Sequence, residues 1–145
     1  MTAALLANLA ATWFMTGLIW FVQVVHYPLF AAVGRDGFTA YHAAHSRLTT
    51  LVVGPPMLIE AAAAALLLIA RPAPVPAAAA WAGAALVAVI WIATAMLQVP
   101  QHGALGGGFD ADVARRLVAG NWIRTIAWSA RAALALWMVA RCTAP

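Results

Sequence analysis

Four long apolar stretches dominate this chain and leave it few folds to choose from. They run from Ala3 to Ala32, Leu48 to Ala70, Ala77 to Val99 and Trp122 to Val139. A helix needs about 20 residues to cross the hydrocarbon core of a bilayer, and each stretch is close to that length or beyond it. Only 8% of the 145 residues are charged, whereas an ordinary soluble domain carries about 25%. Polar groups are too few to clothe a water-facing surface. The expectation is an all-α integral membrane four-helix bundle, a single four-span transmembrane domain over residues 1–145, with the lipid bilayer as its main surroundings.

The first stretch lacks the basic n-region of a signal peptide and is too long for one, so it reads as a span that stays. Ala61 to Ala65 offers the small surface on which helices approach closely in lipid. Arg71 to Pro76 holds three prolines, which predicts a short stiff hairpin between spans two and three. The other two connections are longer. Each is expected to hold a short interfacial helix, one opened by Asp36 and one capped by Asp110 and closed by Gly120, with Asn121 capping the fourth span. Pro55-Pro56 predicts a kink or break in the second span, or a re-entrant segment before it.

The net charge is +4, and every one of the eight basic residues is arginine. They are scattered along the chain, so nucleic acid is not expected as a partner. They do carry orientation. Arg35, Arg47, Arg115 and Arg116 fall in the two longer connections, against Arg71 and Arg141 on the opposite side. The positive-inside rule then predicts an inner (cytoplasmic) membrane protein with both termini on the non-cytoplasmic side. The single Cys142 has no partner for a disulfide and sits too near the end of the chain to suggest catalysis.

Polar residues fall on seams. Thr16, Trp20, Gln23 and Tyr27 step along span one by four, three and four, with His26 beside them. Trp91, Thr94, Gln98 and His102 do the same on span three, and Asn121, Arg124, Trp128 and Arg131 on span four. Such stripes turn away from lipid. All four histidines (His26, His42, His45 and His102) belong to the half of the molecule placed in the cytoplasm. Glu60 and Arg131 lie deeper, where an unpaired charge costs several kcal/mol. They form the natural ion pair, with Arg124 as the alternative partner. Its role is either a buried bridge fixing helix register or a site for substrate or proton.

Three chemistries fit these residues. His26, His42, His45 and His102 can ligate a transition metal (Fe, Cu or Zn), or two of them a haem. Alternatively the chemistry is cofactor-free: His26, His102 and Glu60 act as acid/base groups on a hydrophobic small-molecule ligand. Gln23, Gln98, Asn121, Arg124 and Arg131 would then orient it, and Tyr27, Trp20, Trp91 and Trp128 would line its site. No Ser-His-Asp arrangement, phosphate loop or dinucleotide fingerprint is present, and Gly103 to Gly108 lacks the context of one.

Leu97-Gln98-Val99-Pro100-Gln101-His102-Gly103-Ala104-Leu105, followed by Asn121-Trp122-Ile123-Arg124-Thr125 at the start of the last span, resembles the anthrone-oxygenase-like small four-helix membrane proteins. The resemblance covers about the second half of the chain. It implies a membrane oxygenase of aromatic polyketides or similar substrates with no obvious cofactor. Where that pattern has an Asn after the proline, this chain has Gln101 and His102. Trp13 to Leu18 with Pro28-Leu29-Phe30 bears a fainter resemblance to haem-binding protoporphyrinogen oxidases of bacterial membranes, without their histidine and lysine arrangement. The leading expectation is a membrane oxidoreductase or oxygenase with its site near the cytoplasmic face. Its rivals are a non-catalytic subunit or carrier, alone, as a homo-oligomer or with a partner membrane subunit, and a metal- or haem-binding protein.

Overall fold

The computed structural model describes residues 2–143, which form four long helices joined by three connections. We label them α1 (Ala3–Ala32), α2 (Arg35–Ile69), α3 (Ala77–Leu105) and α4 (Ala111–Thr143). No strand occurs among the described residues. Each helix packs chiefly on two neighbours, in the cyclic order α1–α2–α3–α4–α1. The first three are long and apolar enough to cross a membrane. The fourth is as long, but Arg124 and Arg131 interrupt its apolar run.

Helix boundaries follow local chemistry. Thr2 caps α1 through its hydroxyl, which accepts from Leu5 N–H. Gly34, at φ 82°, supplies the left-handed turn that separates α1 from α2. The proline hairpin closes tightly, with Val75 N–H donating to Pro72 C=O at 3.0 Å and the Val75 side chain buried against Leu5, Leu67 and Met138. Asp110 Oδ1 accepts from the N–H groups of Asp112 and Val113 at 2.8 and 2.9 Å, capping α4. The bonds from Val113 and Asp112 hold its carboxyl below the usual carboxylate range.

Three expectations about the connections are corrected. Neither holds a separate interfacial helix: residues 35–47 are the first turns of α2, and residues 111–120 the first turns of α4. Gly120 does not close a helix. It lies where α3 and α4 approach, and a Cβ there would meet Gln98 Nε2 at 3.5 Å and Leu97 Cδ1 at 3.7 Å. Asn121 is likewise no cap; it is fully buried inside α4 and donates to Gln23 Oε1 at 2.8 Å. The Pro55-Pro56 pair does not break α2, which runs through it.

The bundle departs from regular α-geometry elsewhere. Val22–His26 in α1 and Thr94–Gln98 in α3 each form a π turn, closed by i→i+5 bonds from Tyr27 N–H to Val22 C=O and from Val99 N–H to Thr94 C=O. In both helices a proline, Pro28 or Pro100, stands two residues beyond the turn. Proline has no N–H and collides with the carbonyl four residues back, and a widened turn is one way to accommodate it. Each extra residue per turn rotates the remainder of the helix by about 100°. The outer surface is apolar, with Trp13, Phe14, Leu51, Leu58, Ile69, Trp81, Ile92, Met96 and Ile126 exposed.

Candidate functional site

Polar side chains collect inside the bundle at two levels. The deeper one ties all four helices together. Glu60 on α2 accepts at Oε1 from Thr12 Oγ1 and Arg131 Nε, both at 2.7 Å, and at Oε2 from Trp128 Nε1 at 2.9 Å. Arg131 also donates through Nη2 to Asn8 Oδ1 at 2.8 Å and Thr12 Oγ1 at 3.3 Å, and through Nη1 to the Gly83 carbonyl of α3. The guanidinium packs against the face of Gly83, where a Cβ would stand 3.6 Å from Nη1, an ordinary van der Waals contact. Every group at the heart of this network has a partner.

The second level holds the histidines. His42 and His45 lie near the start of α2, His26 in the π turn of α1 and His102 beyond the π turn of α3. His26 Nε2 meets His45 Nδ1 at 2.7 Å, and His42 Nε2 meets His102 Nδ1 at 3.0 Å. Tyr27 Oη lies 2.9 Å from His102 Nε2, and Thr49 Oγ1 3.1 Å from His45 Nδ1. One self-consistent arrangement has Tyr27 donating to His102 and His102 donating to His42. Phe30 packs edge-on against all four imidazoles and fixes their planes.

This is the spacing of hydrogen bonds. Two imidazole nitrogens on one tetrahedral zinc would stand about 3.3 Å apart, given metal–nitrogen bonds near 2.0–2.1 Å. Among the described residues no three His, Cys, Asp or Glu side chains converge on a common metal position. A haem would need its two axial imidazoles on opposite faces of the macrocycle, and here the paired rings touch directly. The four histidines expected as ligands are therefore neighbours paired two by two.

Beside them opens a cavity of about 220 Å³. Its walls are apolar, from Met15, Leu18, Ile19 and Val22 of α1, Val53 of α2 and Val99 of α3. Tyr27, His45, Ser46, Thr49, Gln98, His102 and Arg124 make its polar lining. Here hydrogen bonding is unfinished. Both amide atoms of Gln98, Ser46 Oγ and Arg124 Nε are buried without a partner among the described residues. Gln98 is 2% exposed and Arg124 6%. Arg124 does stack over the Trp128 ring, 5.2 Å from its centroid.

The residues expected in one site are thus divided. Tyr27, His45, Gln98, His102 and Arg124 line the cavity, with His26 and His42 one hydrogen bond behind. Glu60, Arg131 and Trp128 belong to the deeper network; Glu60 lies fifteen residues beyond His45, about 22 Å along α2. Gln23 accepts from Asn121 and donates to the Val118 carbonyl at 3.1 Å, joining α1 to α4. Trp20 and Trp91 face outward, 44% and 39% exposed. Trp20 Nε1 donates to Ser129 Oγ at 3.0 Å. The seams fail to align because the π turns intervene between these tryptophans and the polar residues further along.

Sequence reasoning passed over Ser46 and Thr49, although Thr49 sits four residues from His45 and so on its face of α2. It also passed over Asn8 and Thr12, spaced by four on α1, and over Gly83. Comparison with protein-family models, with curated proteins and with solved structures finds no match. Fold and site together define the class: an all-α bundle of four long helices, three of them fit to cross a membrane, around a largely apolar cavity with His, Gln and Arg side chains on its lining.

Proposed function

We propose that this protein spans the cytoplasmic membrane four times and is an oxidoreductase or oxygenase acting on a hydrophobic small molecule in the cavity beside the histidines. Support for the fourth span comes from its inverted surface. Arg124 and Arg131 point inward, whereas Ile123, Ile126, Leu136 and Trp137 are exposed. A helix that buries its charges and exposes its apolar residues is made for lipid. The arginine bias favours the cytoplasmic face for the two longer connections, and with them for the site.

One observation carries the reading: an apolar cavity ends on a histidine that is hydrogen-bonded to a second histidine nearer the surface. His45 lines the cavity, and its Nδ1 contacts Nε2 of the half-buried His26. Its Nε2 takes part in no hydrogen bond among the described residues. In this reading His45 accepts a proton from the substrate at Nε2 and releases one from Nδ1 to His26. His102, held between Tyr27 and His42, orients the substrate, and Arg124 stabilises the oxyanion that develops. A passive carrier has no use for such a relay. The likeness of Leu97–Leu105 and Asn121–Thr125 to anthrone-oxygenase-like proteins favours dioxygen as oxidant.

The test is dioxygen uptake by the protein in lipid nanodiscs with apolar phenols, with and without a carboxyl group. Uptake is expected, and His45→Ala or His102→Ala should lower it by about 10²–10⁴-fold. Uptake indifferent to both substitutions, or none at all, rejects the enzyme. A stoichiometric transition metal in the same sample, lost on His→Ala substitution, would recast the imidazoles as ligands.

A further inference from the structure

We infer that the ligand of this cavity carries a negative charge, a carboxylate head on an apolar body, and that Arg124 is its anchor. The inference rests on the cavity being the binding site and adds the chemistry of what enters it. Acids are scarce in this protein. The chain has four Asp and Glu residues. Asp36, Asp110 and Asp112 are exposed at the starts of α2 and α4, and Asp112 pairs with Arg115. Glu60 is committed to Arg131. Among the described residues no carboxylate is left for Arg124, which is buried and lines the cavity.

A buried cation without a counter-ion is costly, and such groups in a membrane normally pair. The Trp128 ring offsets part of that cost through its π-face, but it cannot donate or accept a hydrogen bond with Arg124 Nε, which stays without a partner. Gln98, on the same lining, has its amide unused as well. Arg124 Nε and Gln98 Nε2 are both donors, which matches a group with two acceptor oxygens. A carboxylate has them and brings the missing charge. The Ser46 hydroxyl, also unpartnered, is a third donor on the lining.

The rest of the cavity fits an apolar body. About 220 Å³ exceeds the roughly 150 Å³ apolar cavity that admits benzene. Exposed Thr50 of α2 and Val99 of α3 stand on its lining, so the opening lies between these helices, toward what would be lipid. A molecule can enter sideways, body against Met15, Leu18, Ile19 and Val53, and head on Arg124.

The experiment compares 2-naphthoate with its methyl ester and with 2-naphthylmethylamine, by calorimetric titration of the full chain in phosphatidylcholine nanodiscs. Naphthoate should bind saturably, one per chain and at least tenfold tighter than the ester, with the amine weakest. Arg124→Gln should remove the preference for the acid over the ester, with helicity retained. Equal binding of acid and ester to the unaltered protein overturns the charge assignment while the cavity stands as a site. If none of the three binds, both the assignment and the site fail.

Discussion

Arg124 and Arg131 stand two turns apart on one helix, about 10 Å along its axis. Both are buried, both face the interior, and each touches Trp128 or a partner of it. Around Arg131 all is matched: a carboxylate for its charge, and a carbonyl, an amide and a hydroxyl for its remaining donors. Around Arg124 a cavity opens, and the Gln98 amide on its lining is as unpartnered as Arg124 Nε. A saturated network resists change, because removing any member strands the others in a low-dielectric interior. An unsaturated one is costly to keep, and it makes sense where something else completes it. The first region holds the helices in register, and the second has hydrogen bonds to offer.

The sharpest way to break this contrast is to remove Arg131. Arg131→Ala leaves Glu60 charged and buried with only Thr12 and Trp128 for company. Losing one partner of a buried pair typically costs about 3–5 kcal/mol, and denaturant unfolding in micelles should register a loss of that order. Glu60→Gln should also destabilise, though less, because the amide keeps an acceptor for Thr12 or Arg131. If Glu60→Gln instead left stability unchanged while abolishing turnover, the deep network would be part of the chemistry and the division between the two regions would fail.

Next in size, and opposite in sign, is Gln98→Leu. The amide is buried and bonded to nothing among the described residues. An unsatisfied buried polar group costs about 1–3 kcal/mol, so replacing it by an apolar side chain of similar reach should stabilise the protein by about 1 kcal/mol. Ligand binding should weaken at the same time. A substitution that stabilises and disables together is the mark of a functional group kept at a structural cost. Destabilisation by Gln98→Leu would mean that the amide has structural partners and that the second region is no less saturated than the first.

How far the sequence anticipates these regions depends on what sets each feature. The apolar stretches and the proline hairpin were legible because they are local: length and composition decide them. The Glu60–Arg131 pair was legible by elimination, since Glu60 is the only acid inside a span. The gathering of the histidines followed from their shared level. What could not be read was rotation. The π turns at Val22–His26 and Thr94–Gln98 shift the register of α1 and α3, and a helical wheel drawn at 3.6 residues per turn carries the error forward. Glycine misled for a related reason. Gly120 has the sequence context of a stop, yet it lies inside α4 facing Gln98 and Leu97 of α3, a relation between two helices that neither sequence segment contains.

The smallest predicted effect tests that rotation directly. A regular wheel puts Trp91 on one face with Thr94, Gln98 and His102, and so makes it a wall of the binding site. In the structure Thr94, Gln98 and His102 line the cavity, whereas Trp91 does not and is 39% exposed on the outer surface. Trp91→Phe keeps an apolar aromatic there and removes only the indole N–H and some area. Surface substitutions away from special features usually change stability by no more than about 0.5 kcal/mol, and naphthoate binding should stay within about twofold, which corresponds to roughly 0.4 kcal/mol. A tenfold loss of binding would return Trp91 to the site, and with it the uninterrupted α-helix that the π turn at Thr94–Gln98 replaces.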